Sequence, residues 1–182
     1  CKRVKIIIDV EYEGEPVSDN NYYMMINLKC FEHQFMLAAL HLPSKLESGQ
    51  DELRPIATNI VKDIEEAEER IGNKNTLIVG DFNANPFEDA CINADCFHAV
   101  PNAMEALKKI RTVHYNKYQM FYNPMWNFFG DYKTPQGTYY NDSTGIKTYF
   151  WNIFDQVLFR DSMIKAFQKK SLKIITQVSG CN

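Results

Sequence analysis

Long apolar runs are missing from this sequence. No stretch approaches the ~18 to 20 consecutive apolar residues of a membrane-spanning helix, so no membrane span is expected. A surplus of positive charge is also missing. Lys and Arg total 20 against 23 Asp and Glu, a net charge of -3, which excludes bulk attraction for nucleic acid and leaves polyanion contacts to a local patch or a metal. Cysteine is sparse and odd in number, at Cys1, Cys30, Cys91, Cys96 and Cys181. A chain of 182 residues has no need of disulfide staples, so these read as free thiols in a reducing compartment. Lys2 and Arg3 lead into a strand-like run and do not resemble a signal peptide. The expectation is a soluble, cytoplasmic protein, and nothing in the composition indicates a protein partner.

What is present suits a single globular unit over residues 1–182, with 45% hydrophobic and 13% aromatic residues and no repeat, low-complexity segment or linker. Residues 4–10 are rich in β-branched side chains and predict a strand. Residues 22–29 and 34–40 flank Cys30-Phe31-Glu32-His33 and predict a hairpin that ends at His41-Leu42-Pro43. Between 49 and 72 the apolar Leu53, Ile56, Ile60, Ile64, Ala67 and Ile71 recur at three and four, while Glu65, Glu66, Glu68, Glu69 and Arg70 fill the other face. That is an amphipathic helix, C-capped at Gly72-Asn73 and followed by a strand over 76–79. Residues 101–110 predict a helix with Pro101 in its first turn. An aromatic, turn-rich stretch runs over 115–140, a strand carrying Asp155 over 151–159, and a last strand over 173–178. Asp155 stands among Trp151, Ile153, Phe154, Val157 and Leu158, where a carboxylate is expected to be buried and in need of a partner.

The chemistry centres on Leu77-Ile78-Val79-Gly80-Asp81-Phe82-Asn83-Ala84-Asn85-Pro86. The apolar run suits a strand covered on both faces, and Asn85-Pro86 is a turn signal behind it. In an extended chain Asp81 and Asn83, two apart, point the same way. Asp81 can hold or deprotonate a water, and Asn83 can donate to a phosphate oxygen without adding negative charge. An isolated Gly-Asp-x-Asn equally serves as a turn-capping strand end, so the other blocks decide. Asn123 and Asn152 are candidate substrate contacts, and Trp126 and Tyr140 are candidate rings to stack on a base or line an apolar pocket. Cys91-x4-Cys96-x-His98 has metal-like spacing but no evident fourth ligand, so it is not read as a zinc site.

His41-Leu42-Pro43-Ser44, Gly80-Asp81-Phe82-Asn83 and Phe154-Asp155-Gln156-Val157 stand in an order and spacing that resembles the endonuclease/exonuclease/phosphatase superfamily. These are the metal-dependent phosphoesterases similar to pancreatic deoxyribonuclease, apurinic endonucleases, inositol polyphosphate phosphatases and sphingomyelinases. The Tyr122-Asn123-Pro124-Met125-Trp126 and Gly137-Thr138-Tyr139-Tyr140 segments look like those of a bacterial branch. The resemblance implies a four-layer α/β sandwich of two mixed sheets flanked by helices. It also implies Mg²⁺ or Mn²⁺ as cofactor and a phosphate ester, nucleic acid among the possibilities, as substrate. By it Asp81 orients or deprotonates the attacking water and is the candidate metal contact, Asn83 touches the scissile phosphate, and His41 holds the phosphate or assists proton transfer. Asp155 would orient a C-terminal histidine.

Two parts of the pattern are missing. No early Asn and metal-binding Glu precede the hairpin in the expected strand ends, and no histidine follows Asp155. The expectation is therefore a partial domain, incomplete at both ends, whose segment alone is weak or inactive. A non-catalytic remnant that serves as a binding or regulatory module is the alternative.

Overall fold

The computed structural model describes residues 1, 3–44, 50–131, 133, 135–146 and 148–177. Its backbone is a seven-stranded mixed sheet with helices packed against it, the α/β arrangement of an α/β sandwich. Strand β1 (Glu13–Asp19) pairs antiparallel with β2 (Tyr23–Cys30), and β2 with β3 (His33–His41). Cys30 faces His33 across a two-residue turn in which Phe31 has φ 53°. Helix α1 (Gln50–Ile71) then crosses over and returns the chain to β4 (Thr76–Asp81), parallel to β3. Past α2 (Asp89–Ile92), β5 (Ala99–Val100), α3 (Ala103–Ala106) and the ribbon of β6 (Ile110–Val113) with β7 (Asn116–Gln119) comes β8 (Phe121–Tyr122). A 3-10 turn, Pro124–Phe128, follows. Strands β9 (Tyr139–Tyr140) and β10 (Trp151–Asn152) form another two-stranded ribbon, and β11 (Asp155–Phe159) inserts antiparallel between β4 and β8. The short helix α4 (Asp161–Ile164) closes the series of helices. The main sheet runs β1-β2-β3-β4-β11-β8-β5.

The core lies between α1 and the sheet. Leu53, Ala57, Ile60, Ile64 and Ala67 of the helix meet Met25, Met36, Ala38, Leu40, Ile78 and Phe82, all buried. The three-and-four spacing dictates this stripe, and each fully buried aliphatic side chain contributes about 1.5–3 kcal/mol by leaving water. One member of the helix's expected polar face departs from its role. Glu68 is buried and takes a bidentate ion pair from Arg160, Nε to Oε1 at 2.8 Å and Nη2 to Oε2 at 3.2 Å. Thr76 also donates its hydroxyl to Glu68 at 2.6 Å, and the guanidinium lies 3.8 Å from the Phe121 ring centroid.

Other expectations are corrected at the edges. Residues 4–10 form no strand despite their β-branched side chains, and the edge strand is instead the polar β1. The helix over 101–110 shrinks to Ala103–Ala106: Asn102 caps its start by accepting from Met104 N–H at 2.8 Å, which leaves Pro101 outside, and Lys109 turns left-handed beyond its end with φ 70°. The strand over 151–159 is two strands in two sheets. Residues 173–177 form no strand, and Val178 lies outside the described residues, as do Gly49 and Cys181. Among the described residues no helix is long and apolar enough to cross a membrane, and Cys1, Cys30, Cys91 and Cys96 are free thiols.

Candidate functional site

Three candidate residues fall in one row across the centre of the sheet. His41 ends β3 and is the register partner of Asp81, which ends β4, and Asp81 is the register partner of Asp155, which begins β11. Directly paired residues of neighbouring strands project from one face, so the imidazole and both carboxylates share a surface. His41 Nε2 is 3.9 Å from Asp81 Oδ2, within ion-pair reach when the ring is protonated. Two carboxylates opposite one another oppose pairing. The fold accepts that cost here.

Asp81 is half-buried, and burial pushes its carboxyl above the usual range. The Asn83 backbone N–H pulls it back, Asp155 raises it further, and His41 lowers it. Gly80 makes this strand end possible. Its φ is 145°, and a Cβ there would sit 1.9 Å from the Leu40 carbonyl oxygen, so only glycine lets β4 approach β3 so closely.

Asn83 does not continue the strand. Its φ is 47°, a left-handed conformation that asparagine tolerates, and its N–H donates back to Asp81 Oδ1 at 2.8 Å. The expectation that Asp81 and Asn83 point alike along an extended chain is thus corrected. Asn83 Nδ2 donates to the Leu42 carbonyl at 2.8 Å, tying this turn to the His41-Leu42 segment, and one N–H of the carboxamide remains for a ligand.

A cleft of about 1000 Å³ borders the row. Asp81, Asn83 and Asn152 line it, whereas His41 and Asp155 flank Asp81 without lining it. Among the described residues its wall carries Asp81, Glu88 and Asp89 and the cation Arg54, which is paired with Asp95 at 2.8 Å. Aromatic rings complete it. Tyr139 stacks on Phe154 with centroids 5.4 Å apart and planes 20° apart, and Phe87 meets Tyr149 at 5.1 Å.

The remaining candidates divide. Asn152 is at the cleft with its Oδ1 accepting from Asn85 Nδ2 at 2.9 Å. Asn123 is fully buried. It accepts from Met125 N–H at 3.0 Å and donates to Gln156 Oε1 at 2.7 Å, so its carboxamide caps a turn and is not offered to substrate. Trp126 stands behind the wall, 6.3 Å from the Phe87 ring, and Tyr140 packs on Trp151 at 5.1 Å. Neither lines the cleft; Tyr139 and Phe154 do. Asp155 is exposed, because strand alternation turns Gln156 and Leu158 inward in its place, so the expected buried carboxylate is not found. Cys91 receives Gln156 Nε2 at 3.7 Å while Cys96 pairs with Thr58 at 3.6 Å, each serving the core. Among the described residues no three His, Cys, Asp or Glu side chains converge so as to hold a metal ion.

Gly-Asp-x-Asn and His-Leu-Pro located the row. The residues that sequence reading missed, Asn85, Tyr139, Phe154 and Thr138, lie in stretches read as turns, ordered loop or plain strand. Asn85 stood within the run 77–86, Phe154 within the third motif block, and Thr138 and Tyr139 within Gly137-Thr138-Tyr139-Tyr140, but nothing local set them apart from their neighbours.

No protein-family model matches the chain, and comparison with characterised sequences gives no match. Among solved structures it is similar to the human Nocturnin catalytic domain with bound sulfate anion, with TM-score 0.45, 14% identity, 82% of this chain and 47% of that chain covered. It is also similar to a functionally unknown conserved protein from Enterococcus faecalis V583, with TM-score 0.35, 14% identity, and 83% and 54% covered. The chain spans about half the length of these structures. Likeness at this level leaves function to the residues themselves.

Proposed function

We propose that the row centred on Asp81 belongs to a divalent-metal-dependent phosphoesterase, a nuclease or another phosphodiester or phosphomonoester hydrolase, acting by in-line attack of an activated water. The observation that carries this reading is the alignment of His41, Asp81 and Asp155 on the ends of three adjacent strands, beside a cleft that Asp81 and Asn83 line. A fold that holds two carboxylates in direct opposition keeps a destabilising pair, and such pairs concentrate where chemistry uses them.

The donor set suits Mg²⁺ or Mn²⁺. Mg²⁺ is commonly held by one or two carboxylates, with water and substrate phosphate supplying the rest, and Asp81 with Asp155 provides two. The three carboxylates on the described part of the wall repel a phosphate anion, and a cation bound between them offsets that repulsion. When bound, the ion neutralises charge developing on the phosphoryl oxygens.

The protein groups then divide the work. Asp81, which lines the cleft, accepts the proton of the attacking water. His41 at 3.9 Å, when protonated, stabilises the carboxylate. Asn83 offers its remaining N–H to a phosphate oxygen, and Asn152 lies on the same wall. The aromatic wall suits a flat or apolar group esterified to the phosphate. Free thiols fit a cytoplasmic setting.

Mg²⁺-dependent hydrolysis of bis-(p-nitrophenyl) phosphate tests the proposal. Slow, metal-dependent release of nitrophenolate is expected, falling about 100-fold or more in Asp81→Ala and in Asn83→Ala, the range of a lost acid–base or oxyanion contact. Rates unchanged in both folded variants overturn the assignment of the site, and an unmodified protein without metal-dependent hydrolysis overturns the enzyme reading in favour of a non-catalytic binding module.

A further inference from the structure

We infer that the Thr138 hydroxyl is a positioning group that sets Asp155 opposite Asp81, and that it governs turnover and not substrate affinity; the inference rests on the phosphoesterase reading above. Between β10 and β11 the chain leaves one sheet and enters another, so the intervening N–H groups have no strand partner. Side chains supply the acceptors instead. Asn85 Oδ1 accepts from Ile153 N–H at 2.9 Å, and Thr138 Oγ1 accepts from both Phe154 N–H at 3.0 Å and Asp155 N–H at 3.1 Å. A hydroxyl has two lone pairs, and both are used here on consecutive amides.

The contact is anchored from both sides. Thr138 N–H donates to the Asn152 carbonyl at 2.8 Å, and Phe82 N–H donates to the Phe154 carbonyl at 2.8 Å. Gly137 lets the two backbones touch, since a Cβ there would be 2.6 Å from the Asn152 oxygen. Asp155 is thus placed along β11 by the ladder with β4 on one side and by Thr138 on the other. The adjacent Phe154 lines the cleft with its ring stacked on Tyr139, a support that does not involve the hydroxyl, so the wall ring keeps its place when the hydroxyl is lost. Thr138 itself does not line the cleft. It acts through Asp155, and a displacement of about 1 Å at a reacting group can cost on the order of 100-fold in rate.

The test compares Thr138→Val, which keeps shape and loses the acceptor, with the smaller Thr138→Ala and with Thr138→Ser, which keeps the hydroxyl. Hydrolysis of bis-(p-nitrophenyl) phosphate is measured with Mg²⁺, alongside amide hydrogen exchange of the metal-free protein. The expected result is a kcat lowered ten- to a hundredfold in Val and Ala with KM within twofold. Serine restores kcat, and exchange at Phe154 and Asp155 is faster in Val and Ala but not in Ser. An active protein whose Val and Ala variants keep kcat, or whose Ser variant loses as much as Val, overturns the positioning role while the phosphoesterase reading stands. An inert unmodified protein overturns that reading, and the inference falls with it.

Discussion

Asp81 sits between a neighbour that favours its charge and one that opposes it, and burial outweighs both. A carboxyl whose folded value is raised binds its proton more tightly in the native state than in the unfolded chain. Its neutral form therefore contributes stability that is fully present below the unfolded value near 3.9 and is lost as pH rises through the raised folded value. Asp81→Asn removes the charge and keeps an oxygen for the Asn83 N–H. In EDTA its melting temperature should exceed that of the unmodified protein at neutral pH. The gain should vanish as pH falls through the carboxylate range; a variant less stable at pH 7 contradicts the account. Asp81 was legible in the sequence because an apolar run ending in an acid is a local signal. The posture of Asn83 was not, since its left-handed turn depends on a bond to Leu42, 41 residues away.

Secondary-structure elements were legible where their periodicity was long and their partners near. The hairpin of β2 and β3 and the helix α1 followed from alternation and from the three-and-four stripe. Residues 4–10 carry the side chains of a strand and join no sheet, because pairing and not propensity makes one. The burial of Glu68 was hidden for a related reason: Arg160 is 92 residues away. Two substitutions probe the elements. Arg160→Met leaves a buried carboxylate without its cation and should cost about 3–5 kcal/mol in urea unfolding, most of it recovered in a double variant that also carries Glu68→Leu. A single-variant loss below about 1 kcal/mol contradicts the claim that this pair joins helix to sheet. Gly80→Ala forces a Cβ into the Leu40 carbonyl and should cost about 3 kcal/mol or more, or prevent folding; an alanine variant of unchanged stability contradicts the close approach of β3 and β4.

At the scale of the whole molecule the candidate site depends on β11 inserting between β4 and β8, which brings residue 155 beside residue 81 on the side opposite residue 41. Motif order located the three participants, but their register, the acidic wall and the aromatic lining are properties of the folded sheet. Asp81 and Asp155, paired across β4 and β11, are proposed to work as one unit. The most direct measurement is single-turnover, Mg²⁺-dependent hydrolysis of bis-(p-nitrophenyl) phosphate by the unmodified protein, Asp81→Ala, Asp155→Ala and the double variant, with folding verified for each. Groups that act together are not additive. Each single variant is expected to lose about 100-fold or more, and the double variant little beyond the worse single. Losses that multiply, or a Asp155→Ala variant as fast as the unmodified protein, would contradict a shared site.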